Sequence, residues 1–140
     1  PITGKPIPGP FYAKGATWDT TFGKMASAYE ECRAECSGIY LCLEQQVLTI
    51  FGHEATTHET GVHDIVYINW LLMVRAGLTG LEFYTPETCE WRQAHMRARY
   101  VILRVLLEAG QGFVEIQKVT GEDGEPDLVV RMDRTKVPTV

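Results

Sequence analysis

The order of apolar and polar residues along the chain predicts four helical stretches followed by a β-hairpin. Apolar residues spaced three or four apart share one face of a first helix that begins near Thr20 and continues to about residue 40. Thr17 or Asp19 precedes this helix and is suited to cap its free backbone N–H groups. A shorter helix is predicted over residues 44–51.

The second half of the helical region contains two longer helices. Asp64 is predicted to cap a stretch, residues 65–81, that is apolar almost all round, which is typical of a helix buried on most sides. Thr85-Pro86-Glu87 combines a cap, a proline suited to the first turn and an acidic residue, so a fourth helix is predicted to begin there. That helix is predicted to run to Ala109 and to stop at Gly110.

The last thirty residues change from a helical to an alternating pattern. Residues 113–119 alternate loosely, residues 121–126 have turn chemistry, and residues 128–132 are again apolar, which predicts a β-hairpin. The fold class is therefore mainly α, bundle-like, with a C-terminal β-hairpin. The predicted division is an extended N-terminal segment (1–16), a helical region (17–110), and a hairpin with its tail (111–140) in the same domain.

Composition fits one folded domain, since 45% of the 140 residues are hydrophobic and 22% are charged. The net charge of −5 argues against nucleic-acid binding, and no apolar run approaches the roughly 20 residues that span a membrane. The chain starts at Pro1 without a signal-peptide pattern, and we expect it to be a piece of a longer polypeptide. Four cysteines without a Cys-x-x-Cys pair predict free thiols in a reducing, cytoplasmic setting.

Two acidic residues of the first helix are candidates for metal chemistry. Glu31 and Glu35 lie one turn apart at the edge of its apolar face, where their mutual repulsion needs an offset. A carboxylate beside a buried face suits a metal ligand, or a group that orients ligand histidines. A solvated acidic face is the simpler interpretation, and the residues alone favour it.

Two residues of the fourth helix are candidates for substrate contacts. His95 falls within the apolar face of this helix and Arg99 follows one turn later, at the edge. The imidazole can donate a hydrogen bond to a developing oxyanion, and the guanidinium can hold a carboxylate. A core histidine beside an arginine that reaches solvent is the simpler alternative. Because this helix is basic and the first is acidic, we expect ion pairs between them.

A third candidate is the tandem of His-Glu runs, His53 to His58 and His58 to His63. The zinc-peptidase pattern His-Glu-x-x-His places both imidazoles on one helical face at i and i+4, whereas here the second histidine is at i+5. Residues 52–63 are predicted to be a polar loop. An independent zinc-binding domain that uses His53, His58 and His63 remains an alternative.

Residues 29–35, Tyr-Glu-Glu-Cys-Arg-Ala-Glu, resemble the second zinc-binding motif of the dipeptidyl peptidase III family, Glu-Glu-x-Arg/Lys-Ala-Glu/Asp. Residues 81–87 and 91–110 resemble this family as well, so that the similarity covers nearly the whole chain. The resemblance implies a zinc-dependent exopeptidase that releases dipeptides from the N-termini of short peptides, mainly in the cytosol. It also implies residue roles: Glu31 as zinc ligand, Glu30 and Glu35 as acids that orient ligand histidines, His95 in transition-state stabilisation, and Asp19 and Arg99 in the substrate cleft.

One departure from the family pattern bears on activity. The family's first motif, His-Glu-x-x-Gly-His, is expected upstream of Glu30, but only 29 residues precede it and none is histidine. We therefore expect an inactive fragment of the zinc-bearing helical lobe, whose partner is the remainder of the parent chain. The alternative is a non-catalytic helical interaction module that binds a partner, or a second copy of itself, through exposed apolar faces.

Overall fold

The computed structural model describes residues 12–53 and 60–137, together with Gly4 and Gly9. Helices dominate, as predicted, and an antiparallel hairpin follows them. Most of the predicted N-terminal segment lies outside the described residues. The helices are α1 (Trp18–Phe22), α2 (Ala26–Leu41), α3 (Gln45–Ile50), α4 (Thr60–Thr79) and α5 (Ala94–Glu108), and the strands are β1 (Tyr84–Thr85), β2 (Glu90–Trp91), β3 (Val114–Thr120) and β4 (Pro126–Met132).

The first predicted helix is present but divided. The Thr17 side chain accepts a hydrogen bond from the backbone N–H of Thr20 at 3.2 Å, and the Thr20 hydroxyl accepts one from the backbone N–H of Thr17 at 2.8 Å. This reciprocal cap makes Thr17, rather than Asp19, the cap of α1, which begins at Trp18 instead of near Thr20. Gly23 then adopts φ +52°, a left-handed conformation that ends α1, and a short 3₁₀ turn leads into α2.

The predicted start of the fourth helix at Thr85 is wrong. Thr85 belongs to a short hairpin in which Tyr84 pairs with Trp91, and α5 begins only at Ala94. Its cap is Gln93, whose side chain accepts a hydrogen bond from the backbone N–H of Met96 at 2.8 Å. Strand pairing and the turn between β1 and β2 thus override the local start signal. The predicted stop is confirmed, since α5 ends at Glu108 and Gly110 has φ +71°.

Helix α4 begins earlier than predicted, at Thr60, so the predicted loop over residues 52–63 is too long. Asp64 is therefore inside the helix rather than at its cap, and its carboxylate pairs with Arg134. No described helix is both long and apolar enough to span a membrane. The predicted C-terminal hairpin is confirmed, with its register running from Val114 opposite Met132 to Thr120 opposite Pro126.

The core is formed where α4 packs on α5 and both contact the hairpin. Helix α5 also packs against α2, which places it between two helical neighbours. A Cβ atom added at Gly77 of α4 would lie 2.6 Å from the carbonyl oxygen of Arg99, so α4 and α5 approach too closely for a side chain there. The buried apolar cluster consists of Val66, Val74, Ile102, Leu103, Leu106, Val114, Met132 and Val137.

Candidate functional site

Helices α2 and α5 bring two pairs of charged residues together. Nδ1 of His95 lies 3.2 Å from a Glu31 oxygen and 3.5 Å from a Glu35 oxygen. Nε of Arg99 donates a hydrogen bond to the same Glu35 oxygen at 2.7 Å. These four residues are called the α2–α5 charge cluster below. They confirm the predicted ion pairing between the acidic and the basic helix.

The cluster follows from helical spacing on both partners. Glu31 and Glu35 are one turn apart on α2, and His95 and Arg99 are one turn apart on α5, so each pair projects from one side of its helix. The Arg99 guanidinium offsets the repulsion between the two carboxylates. Glu35 is central, because its side chain is only 17% exposed and its oxygen contacts both partners. Its charge is therefore screened less by water than that of a surface pair.

The contacts of the His95 ring with the cluster are made through one of its two nitrogen atoms, Nδ1. Its Nδ1 atom is buried, and neither carboxylate contact has the geometry of a hydrogen bond, so the contacts are electrostatic. Nδ1 therefore faces two acceptor carboxylates on this side of the ring. The side chain is 43% exposed, which leaves the ring accessible to another molecule.

Two other predicted site residues lie outside this cluster. Glu30 is exposed and accepts a hydrogen bond from Nε of Arg33 at 3.2 Å, and this arginine holds the pKa of Glu30 below its ordinary value. Asp19 is exposed in the first turn of α1, and its carboxylate makes no hydrogen bond or ion pair with the described residues. The structure therefore joins Glu31, Glu35, His95 and Arg99, but not these two.

Glu35 also lines an open pocket of about 620 Å³ between α2, α3 and α4. The pocket is mostly apolar, and its polar lining includes His53 and Asn69. His53 is the described member of the predicted histidine tandem. His58 and the side chain of His63 lie outside the described residues.

Gln93 is a residue of the site that the sequence pattern missed. Its side chain fixes the first turn of α5, the turn that carries His95. Glutamine is not among the residues favoured at helix caps. The sequence indicated a cap at this position only through the side-chain oxygen of Gln93, which can accept a hydrogen bond from the backbone N–H three residues later. Nothing in the spacing distinguishes Gln93 from an ordinary surface glutamine.

The described residues do not form a zinc site by themselves. No group of three His, Cys, Asp or Glu side chains converges within the described part of the chain in a way that would hold a metal. Glu31 offers one carboxylate, and one of its oxygens already contacts His95. A catalytic zinc site needs about three protein ligands and an open position. The zinc implied by the resemblance therefore requires ligands beyond these residues.

Comparison with known proteins identifies the class to which this fold and cluster belong. The model of Peptidase family M49 matches residues 1–140, and the chain belongs to that family. It is 59% identical over 140 residues to dipeptidyl peptidase 3 of Homo sapiens, which covers 100% of this chain and 18% of the human protein. Proteins with the same name from two other organisms are also similar. The protein of Nematostella vectensis is 59% identical over 138 residues, which are 99% of this chain and 18% of that protein. The protein of Dictyostelium discoideum is 41% identical over 143 residues, which are 98% of this chain and 19% of that protein.

The resemblance predicted from the second zinc-binding motif is thereby confirmed. The chain spans about 18% of the length of the human and Nematostella relatives that it matches.

Proposed function

We propose that this chain supplies part of the active site of a zinc-dependent dipeptidyl peptidase, which releases dipeptides from the N-termini of short peptides in the cytoplasm. The α2–α5 charge cluster is the observation that carries this proposal. The cluster joins residues 64 positions apart, and all four are ones to which the family resemblance gives a role. Identity of 59% to proteins named dipeptidyl peptidase 3 supports the same function.

The contacts support a separate role in catalysis for individual residues of the cluster. Glu31 contributes one carboxylate to the metal site, and the other ligands come from outside the described residues. Glu35 is held by Arg99 and in turn faces His95, so it acts as a positioning residue. His95 turns Nδ1 toward the two carboxylates, which leaves Nε2 for a group of the substrate.

Three proposed roles rest on the family resemblance more than on contacts. Asp19 and Arg99 would line the substrate cleft, and Glu30 would orient a ligand histidine. The hydrogen bond from Arg99 to Glu35 is compatible with a cleft position, because the Arg99 side chain is still 30% exposed.

A segment exchange tests the proposal. The matching segment of human dipeptidyl peptidase 3 is replaced by this chain, and dipeptide release and bound zinc are measured. We expect the chimera to be active, Glu31→Gln to lose zinc and activity, and His95→Ala to lose activity while it retains zinc. Glu122→Gln, in the exposed hairpin turn, is the matched control and should change neither. Full turnover and full zinc content in Glu31→Gln would refute the assignment.

The chain alone is expected to be inactive. Only one proposed zinc ligand lies in the charge cluster, so added zinc should not produce dipeptide release from a short peptide. The measurement compares the chain with its Glu31→Ala variant. Release above the level of that variant would show that the chain is sufficient for catalysis.

A non-catalytic interaction module is the second candidate. It is favoured by large apolar side chains left exposed near the ends of α2 and α3, where Tyr40 is 65%, Ile50 80% and Phe51 74% exposed. Such a surface is unusual unless another surface covers it. In the peptidase proposal the cover is the remainder of the parent chain. Light scattering that shows a monomer at high concentration would weaken the module interpretation.

A further inference from the structure

The His95 ring depends on the backbone of α5 for its position. Its contacts with Glu31 and Glu35 are electrostatic, and its buried Nδ1 atom makes no hydrogen bond with the described residues. The side chain is 43% exposed, so packing holds the ring only in part. His95 is the second residue of α5, which begins at Ala94. The ring is therefore positioned mainly by the contacts that hold the first turn of this helix.

Gln93 holds that turn through two hydrogen bonds. Its side-chain oxygen accepts one from the backbone N–H of Met96 at 2.8 Å. Its backbone carbonyl oxygen accepts another from the backbone N–H of Arg97 at 3.2 Å. The first N–H groups of a helix have no partner within the helix, so a capping side chain supplies an acceptor that the helix itself lacks. The two donors belong to the residues that directly follow His95, so Gln93 fixes the backbone on which the ring is carried.

The chain that leads into Gln93 is held as well. Trp91 belongs to strand β2, and the backbone N–H of Arg92 donates a hydrogen bond to the carbonyl oxygen of Phe83 at 2.8 Å. The Arg92 guanidinium donates another to the hydroxyl of Thr85 at 3.1 Å. The backbone is thus anchored up to position 92, and the Gln93 side chain extends this support into the first turn of α5.

We propose that Gln93 is a positioning residue of the proposed peptidase, whose cap holds His95 where it acts on the substrate. The inference rests on the proposed role of His95 and adds a residue that does not itself touch the reacting atoms. When the cap is lost, the first turn of α5 is unwound for part of the time, and His95 leaves its place beside Glu31 and Glu35. Substrate still binds during that time but is not turned over, so the loss falls on kcat and not on KM.

The test uses the chimera in which this chain replaces the matching segment of human dipeptidyl peptidase 3. Gln93→Leu keeps the size of the side chain but has no acceptor. We expect it to lower kcat about fivefold, which is the usual effect of a lost cap on a helix end, with KM and bound zinc unchanged. Gln93→Asn should recover most of kcat, because asparagine is a preferred cap. Asp133→Ala is the matched control, since it removes the acceptor for the backbone N–H of Thr135 in a turn after β4, and it should change neither kcat nor KM.

Four results would overturn the proposal. Full kcat in Gln93→Leu, while His95→Ala is inactive, would refute the positioning role and leave the proposed function standing. Full kcat in His95→Ala would refute both. A Gln93→Asn variant as slow as Gln93→Leu would show that the amide reaches another group instead of capping α5. A rise in KM or a loss of zinc in Gln93→Leu that matches the fall in kcat would show a general disturbance of the fold instead of a displaced His95.

Discussion

Gly77 offers the sharpest test of how this fold is assembled. A Cβ atom at this position would lie 2.6 Å from the carbonyl oxygen of Arg99 and 2.6 Å from the Cβ of Leu103. Both distances are far below ordinary contact, and neither neighbour is the free end of a flexible side chain. Gly77→Ala should therefore force α5 away from α4 and disturb the turn that carries Arg99.

The size of the effect follows from two opposing contributions. Alanine in place of glycine inside a helix stabilises it by about 1 kcal/mol. Overpacking costs about 1–3 kcal/mol, and two contacts at 2.6 Å put Gly77→Ala at the upper end of that range. A net loss of about 2 kcal/mol in the free energy of unfolding is expected. Gly38 is the matched control, since it lies in α2 and a Cβ there meets nothing within 4 Å.

The assay is urea unfolding of both variants and the unaltered chain, followed by far-ultraviolet circular dichroism. Gly38→Ala should raise the free energy of unfolding by about 0.5–1 kcal/mol, and Gly77→Ala should lower it. The two variants should thus differ by about 3 kcal/mol, although they exchange the same residue types. Equal stabilisation by both would refute the close crossing of α4 and α5.

Three further predictions concern an ion pair, the core and pH. A double-mutant cycle with Glu35→Ala and Arg99→Ala should give a coupling free energy of about 0.5–3 kcal/mol in urea unfolding, and no coupling would contradict the contact. Leu103→Ala, at a position 1% exposed, should lower the free energy of unfolding by about 2–5 kcal/mol, and a smaller loss would mean that the core is open there. Hydrogen bonds from Thr135 hold the pKa of Asp133 below its ordinary 3.8, so its stabilisation is present above that pH and is lost as the pH falls through the lower folded value. Unfolding measured across the acid range should therefore show a weaker pH dependence in Asp133→Asn, and an unchanged profile would contradict the shift.

Local sequence chemistry was sufficient where an element depends on its own residues. The sequence predicts a cap at Thr17 or Asp19 and a stop at Gly110, and the structure has the cap at Thr17 and the stop at Gly110, because each signal acts on the adjacent backbone. The start of α5 was not predicted. Thr85-Pro86-Glu87 has the residues of a helix start, but the pairing of Tyr84 with Trp91 uses the same segment as a hairpin. Tyr84 and Trp91 are seven residues apart, and a periodic pattern of apolar residues does not show that two such residues pair as strands.

The members of the site and the ion pairing between its two helices were predictable, whereas the particular partners that meet were not. Helical spacing identified Glu31 with Glu35, and His95 with Arg99, as two separate pairs. Their meeting depends on how α2 packs on α5, and this packing joins residues that are far apart in the sequence. Glu30 shows the reverse case, because its sequence neighbour Arg33 satisfies it locally and it stays outside the cluster.

The short β1–β2 hairpin has an electrostatic consequence. By delaying α5 to Ala94, it places His95 in the first turn, where unpaired backbone N–H groups give a helix about half a positive charge. In a helix that began at Pro86, His95 would lie in the middle, where the backbone N–H groups are paired and give no net positive charge. Glu31, whose carboxylate approaches His95, therefore lies near the positive end of α5, a position that typically stabilises a carboxylate by about 0.3–1 kcal/mol.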